Sequence, residues 1–127
     1  MKIGEWIQSA DWKAEKHVPV LECADTVEAG KPFQVTVSVG KEIAHPNTVE
    51  HHIRWIDVYF QPEGEKFVYQ VAHLDFTAHG ESAKGVMYAH PQASFSMQVD
   101  GPGTLLALSL CNIHGTEHLI IRYLQTT

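Results

Sequence analysis

From Phe33 onward the sequence keeps returning to short runs of β-branched and aromatic residues that end in glycine- or proline-bearing turns. This punctuation limits the folds open to the chain more than any other feature. The clearest run is Phe33–Val39, where Phe33, Val35, Val37 and Val39 alternate with Gln34, Thr36 and Ser38. Successive side chains of an extended strand point to opposite faces, so the run predicts a strand with one face buried and one wet. Further strands are expected over Val20–Cys23, His51–Phe60, Phe67–Thr77, Gly85–Ala89, Ala93–Val99, Thr104–Cys111 and His118–Leu124. Between them lie turns such as Glu28-Ala29-Gly30-Lys31-Pro32, Pro62-Glu63-Gly64-Glu65 and Asp100-Gly101-Pro102-Gly103. Strands of this length and spacing predict an all-β, antiparallel sandwich or barrel. Ahead of them, Ile3, Trp6, Ile7 and Ala10 fall at helical spacing and predict a short N-terminal helix of about two turns. Residues 11–19 and 40–50 read as loops. In the second, Asn47 and Glu50 have the spacing of a capping box, which would suit a single helical turn.

A chain of 127 residues suits one domain, expected to span residues 1–127. Apolar residues make up 44% and charged ones 19%, which is globular rather than disordered composition. The net charge of −6, with both signs interspersed, argues against wide contact with nucleic-acid phosphates. No apolar run approaches the ~20 residues of a membrane span. The first residues lack the apolar stretch and small-residue cleavage site of a signal peptide, so a cytoplasmic protein is expected. In a reducing compartment Cys23 and Cys111 are expected to stay unpaired, Cys23 as a buried thiol.

The histidines are the unusual part of the composition, nine in all. Cys111-Asn112-Ile113-His114 sets a thiolate and an imidazole on a turn after an apolar strand, close enough to reach one metal ion. Two upstream places also offer ligands: Glu15-Lys16-His17, and the stretch from His45 through His51 and His52. All three flank predicted strands, where a β-sandwich gathers its loops. If the chain is extended at His51 and His52 only one of them faces the metal. Glu15 and His17 would then share a face, with Lys16 free to swing toward an opening. Four imidazoles and a thiolate are one more than a closed tetrahedral zinc site uses, and they suit iron or copper with a position left open. A blue-copper electron carrier on a β-sandwich is the alternative, but it wants a methionine ligand after the late Cys–His pair, and none follows His114. A structural zinc would leave motifs idle. His73, His79, His90 and His118 are expected to be ordinary surface histidines.

The motifs Glu15-Lys16-His17-Val18-Pro19, His45-Pro46-Asn47, Glu50-His51-His52-Ile53-Arg54-Trp55 and Cys111-Asn112-Ile113-His114-Gly115 stand in the order and at the spacing found in one family. Across essentially the whole chain the sequence resembles the superoxide reductases of the single-iron neelaredoxin type. The resemblance implies an immunoglobulin-like antiparallel β-sandwich and reduction of superoxide to hydrogen peroxide at a non-haem iron centre, without oxygen release. It implies equatorial ligation by His17, His45, His51 and His114, with the Cys111 thiolate axial. Glu15 would take the sixth position of the oxidised site, and Lys16 would draw in the superoxide anion. It further implies rubredoxin as the electron donor and a homo-oligomer, a tetramer. Larger relatives carry an additional four-cysteine module with a second iron. Only Cys23 precedes the Cys111 motif here, so one iron per chain is expected.

Overall fold

Val35, Val37 and Val39 project the same way from one strand, and that apolar row needs a facing layer to exclude water from it. In the computed structural model, which describes residues 2–7, 13 and 16–127 (backbone alone at 117–119), the facing layer is a second sheet. The strands formed among the described residues are β1 (Pro19–Glu22), β2 (Thr26–Val27), β3 (Phe33–Val39), β4 (Ile53–Pro62), β5 (Tyr69–Asp75), β6 (His79–Glu81), β7 (Met87–Tyr88), β8 (Gln92–Met97), β9 (Gly103–Cys111) and β10 (Gly115–Thr126). One sheet has the order β1-β3-β8 and the other β2-β10-β9-β4-β5, while β6 and β7 form a separate hairpin. The result is the expected all-β sandwich of antiparallel strands, with one exception: β2 pairs parallel with the end of β10.

The core lies between the two sheets. Val35, Val37 and Val39 of β3 join Ile56, Val58 and Phe60 of β4, Leu105 and Ala107 of β9 and Leu124 of β10 in one cluster. Burying each such side chain contributes about 1.5–3 kcal/mol. Alternation in β9 is strict: Leu105, Ala107, Ser109 and Cys111 are buried, and the positions between them face the other way. Cys111 therefore ends a core-facing row, which is how a thiol comes to sit at the bottom of a loop cluster. On the core-facing side of β10, Arg122 donates to the carbonyls of Leu21 (2.9 Å) and Cys23 (2.5 Å) and pairs with Asp25, joining β1 and the segment after it to the other sheet.

The N-terminal helix differs from expectation. It is a single 3-10 turn at Ile3–Glu5 that buries none of its residues, and Ile3 and Trp6 are exposed. So short a helix has little stability without a packed face. Ala10, the last residue of the expected pattern, lies outside the described residues. No helix forms at residues 40–50 either. There Thr48 takes the turn-closing role: its backbone N–H donates to the His51 carbonyl at 2.9 Å, and its hydroxyl oxygen accepts from the His51 N–H at 3.0 Å. Strand β4 consequently starts at Ile53 rather than His51, leaving both histidines in the loop.

Candidate metal centre

Four separate segments meet at one end of the sandwich. His17 lies in the turn before β1, His45 and His51 in the loop from β3 to β4, Cys111 at the end of β9, and His114 in the turn into β10. The pairing of β4 with β9 ends at Ile53 and Cys111, so the chain entering β4 and the chain leaving β9 emerge side by side.

The four imidazoles form a ring of neighbours. Centroid separations are 5.0 Å for His17–His45, 4.7 Å for His45–His51, 5.1 Å for His51–His114 and 4.7 Å for His114–His17. Each adjacent pair meets edge to face, at interplanar angles of 62–77°. The diagonal His17–His51 is 6.4 Å. Half of that diagonal is about the centroid distance that a metal–nitrogen bond of about 2.0–2.1 Å implies for a central ion. Cys111 is the buried member, its Sγ 3.1 Å from His51 Nε2 and 3.5 Å from His114 Nδ1. Ligand atoms of His17, His51, Cys111 and His114 all lie within 4.8 Å of one another.

His45 tests whether this set suits a metal. Its Nδ1 donates to the Pro46 carbonyl at 2.6 Å, which fixes the tautomer and turns Nε2 into an acceptor. That Nε2 is buried with no hydrogen-bond partner among the described residues. An orphaned buried acceptor is costly unless something binds it. Burial pushes the His45 pKa down to about 4, with the charges of His17, His51 and Lys16 adding to the effect against the Pro46 carbonyl. His51 is also lowered, by burial first and then by His114, His17 and Lys16. Neutral imidazoles keep their lone pairs available, which is what metal ligation needs. Nitrogen donors with one soft sulfur fit a transition metal such as iron, copper or zinc.

Residues outside the set hold it in place. Buried Ser109, two positions before Cys111 on the same face of β9, donates its hydroxyl to the His17 carbonyl at 3.2 Å. Asn47 donates to the Ala89 carbonyl at 3.1 Å and anchors the loop that carries His45. Ser109 does not stand out in the sequence, because an isolated Ser on a strand is commonplace, whereas Asn47 does so as a capping residue and instead bonds a distant carbonyl.

Lys16 sits half-buried in the turn beside His17, near enough for its charge to lower both His45 and His51. Glu15, expected as a ligand, lies outside the described residues. His52 turns away from the cluster and stacks on His79 at 3.5 Å and 9°. Its Nδ1 donates to the Thr48 carbonyl at 2.9 Å. His79 is thus half-buried rather than a surface histidine, and its Nε2 donates to the Phe76 carbonyl at 2.5 Å. His73 is exposed but not idle, since its two nitrogens face Asp57 and Asp75. His90 is exposed, and the His118 side chain lies outside the described residues. Both cysteines are free, and Cys23 is half-buried rather than buried.

Residues 9–118 match the family model described as Desulfoferrodoxin. Neelaredoxin of Megalodesulfovibrio gigas is 57% identical over 119 residues, which cover 91% of this chain and 92% of that protein. Superoxide reductase of Pyrococcus furiosus is 56% identical over 117 residues, covering 89% and 92%. A crystal structure from Thermotoga maritima superposes with a TM-score of 0.95 at 44% identity, covering 100% of this chain and 98% of that one.

Proposed function

The chain belongs to the desulfoferrodoxin family, and on that premise we propose that it is a superoxide reductase, working as a single domain over residues 1–127. The observation that carries this reading is the square of four imidazoles set against one buried thiol. The overall change takes one superoxide, one electron and two protons to one hydrogen peroxide, and no oxygen is released. His17, His45, His51, His114 and Cys111 would hold one iron ion, with Glu15 as an added ligand in the oxidised state. Bound iron supplies the single electron, which zinc, having no redox chemistry, does not.

The chain's own residues explain why a small anion comes here. Neutral imidazoles add no charge, so a divalent ion with one thiolate leaves a centre of net positive charge. The depressed pKa values of His45 and His51 keep their rings neutral near pH 7. Lys16 adds a positive charge at the same end of the sandwich. At a separation of about 6 Å and an effective dielectric of about 20, one such charge attracts the anion by at most about 3 kcal/mol, less once salt and solvent screen it. His114 is exposed, which keeps the site in contact with the water that supplies both protons.

Exposed Ile113, beside His114, gives a small redox protein an apolar foothold at the site, and rubredoxin is the donor we assign. We assign a homo-oligomer, a tetramer, and the outer face of the larger sheet offers self-association an apolar row of Ile121, Leu106 and Tyr59, with Ile121 60% exposed. Two free thiols suit the reducing cytoplasm. Among the described residues no helix is long and apolar enough to cross a membrane.

The test is stoichiometric. With a reducing donor present, peroxide formed should match superoxide consumed mole for mole, and metal analysis should find iron at one per chain. Without a donor the reaction should stop after about one equivalent per iron. Sustained oxygen release without a donor, or colourless zinc in place of iron, overturns the reading.

A further inference from the structure

We propose that the side-chain amide of Asn112 is a positioning residue for His51, fixing that imidazole against the Cys111 sulfur. The inference rests on the reading of the five donors as an iron site. Asn112 Oδ1 accepts the backbone N–H of His52 at 2.8 Å, and Nδ2 donates to the carbonyl of Glu50 at 2.9 Å. The Asn112 backbone N–H donates to the His52 carbonyl at 3.1 Å. All three partners belong to the residues immediately before and after His51. The amide orientation is forced by these partners, because a backbone N–H only donates and a carbonyl only accepts.

The arrangement solves a local problem. The β4–β9 ladder ends at Ile53 and Cys111, one pair short of the segment that carries His51. Beyond that point no strand is left to hold residues 50–52. A primary amide carries one donor side and one acceptor side, as a peptide group does, so the Asn112 side chain continues the ladder past its end. Because Asn112 follows Cys111 directly in the chain, the same residue ties the imidazole segment to the segment bearing the sulfur. The 3.1 Å separation of His51 Nε2 from Cys111 Sγ is set through this clamp. The hydrogen bonds of Asn112 go to backbone groups of Glu50 and His52, not to the His51 ring. Its effect passes through the backbone on either side.

Three substitutions separate the bonds. Asn112→Leu removes both side-chain bonds, whereas Asn112→Asp keeps the acceptor for His52 and sets an oxygen against the Glu50 carbonyl. Asn112→Gln keeps donor and acceptor on a longer arm. Each iron-loaded variant would be compared with wild type for the rate of iron release to a chelator and for the position of the sulfur-to-iron absorption band. The metal-free forms would be compared by thermal unfolding. Removal of an outer partner of a metal ligand typically costs 10–100-fold in metal affinity. Asn112→Leu is expected to release iron at least tenfold faster and to shift or broaden the band, with Asn112→Asp close behind and Asn112→Gln partly restored. Should the Leu variant not fold, the isosteric Asp variant decides. Wild-type release and an unmoved band in Asn112→Asp, in a wild-type protein that does show the band, overturn the clamp and leave the iron reading standing. Absence of any such band in the wild-type protein removes both. A loss of thermal stability alone, with band and release unchanged, assigns Asn112 to the fold and also overturns the proposal.

Discussion

Gly40, the residue that leaves β3 for the loop carrying His45, is the most exacting place to test how the site is built. Its φ is +92°, and a Cβ added there would sit 2.7 Å from the His45 backbone nitrogen and 3.4 Å from the Ala44 Cα. Contacts under 3.0 Å are not tolerated, so Gly40→Ala requires the His45 backbone to retreat by several tenths of an ångström. Metal–ligand distances tolerate only about 0.2 Å. Gly64 is the natural control, with φ +79° but nothing within 4 Å of an added Cβ. Left-handed backbone costs a side-chain-bearing residue about 1–2 kcal/mol at either position. The entropy that alanine removes from the unfolded chain, about 0.4–1 kcal/mol, offsets part of this and cancels between the two variants. Only Gly40→Ala adds the collision, about 1–3 kcal/mol by analogy with overpacking. At about 2.1 cal/mol/K per residue, 1 kcal/mol shifts the midpoint of a chain this long by about 4 °C. Calorimetry on the metal-free proteins should therefore find Gly40→Ala melting about 4–12 °C below Gly64→Ala. Chelator competition should find iron held at least tenfold more weakly in Gly40→Ala and unchanged in Gly64→Ala. Equal melting points and equal iron affinities would refute the claim that this close approach sets the position of His45.

Three other outcomes follow from the same geometry. Cys111→Ser should abolish the visible sulfur-to-iron band and slow turnover more than it lowers iron content, because four imidazoles remain; full colour and rate in the variant would remove Cys111 from the site. Lys16→Met should lower the second-order rate with superoxide several-fold at low salt and flatten its ionic-strength dependence, with iron content constant; stopped-flow traces with an unchanged salt slope would put Lys16 off the anion's path. The hydrogen bond to Asp57, with further help from the Asp57 and Asp75 charges, raises the His73 pKa above its usual 6.5. A raised folded-state pKa stabilises in full below 6.5 and loses that contribution as pH climbs through the raised value. The melting-point advantage of the wild type over His73→Gln should thus be present at pH 6 and shrink toward alkaline pH, and an advantage that grows with pH would show the sign to be wrong.

Strand β3 is legible in the sequence to the residue, because apolar and polar residues alternate along Phe33–Val39, although Ser38 on the polar face is itself buried. Strand β2 is not: two residues carry no period, and their partners lie at the other end of the chain. Strand β10 begins at Gly115, ahead of the apolar run that announces it, because its first residues pair with β9 before a register shift between Thr116 and Leu119. At the candidate centre the rare residue types are what can be read, since a cysteine followed by a histidine and two upstream histidine motifs stand out from any background. Choosing between His51 and His52 by strand alternation presumes an extended chain. The structure has a turn closed by Thr48 instead, yet His52 still faces the opposite way. The supports escape notice for a different reason. Ser109 and Asn112 act on backbone groups 92 and 60 residues away, and no local pattern encodes such partners.

The distances in sequence between the converging groups decide when a newly made chain can take up its metal. Only Cys111 with His114, and His45 with His51, are near neighbours in sequence. The His51–Cys111 approach closes 60 residues, and the Ser109 anchor for His17 closes 92. Closing loops of that length in an unfolded chain costs about 4 kcal/mol each. An unfolded chain therefore offers a metal two weak pairs, whereas the closed sheets offer all five donors at once. Folding comes first and loading last, and folding dominated by non-local strand pairing is slow. During that interval the Cys111 thiol has no sheet above it and is open to oxidants. Once β4 and β9 have zipped to their ends and the loops have closed over them, its exposure falls to 2%. A protein that consumes oxidants is thus most vulnerable to them in its own youth, before the sheets that cover its thiol have closed.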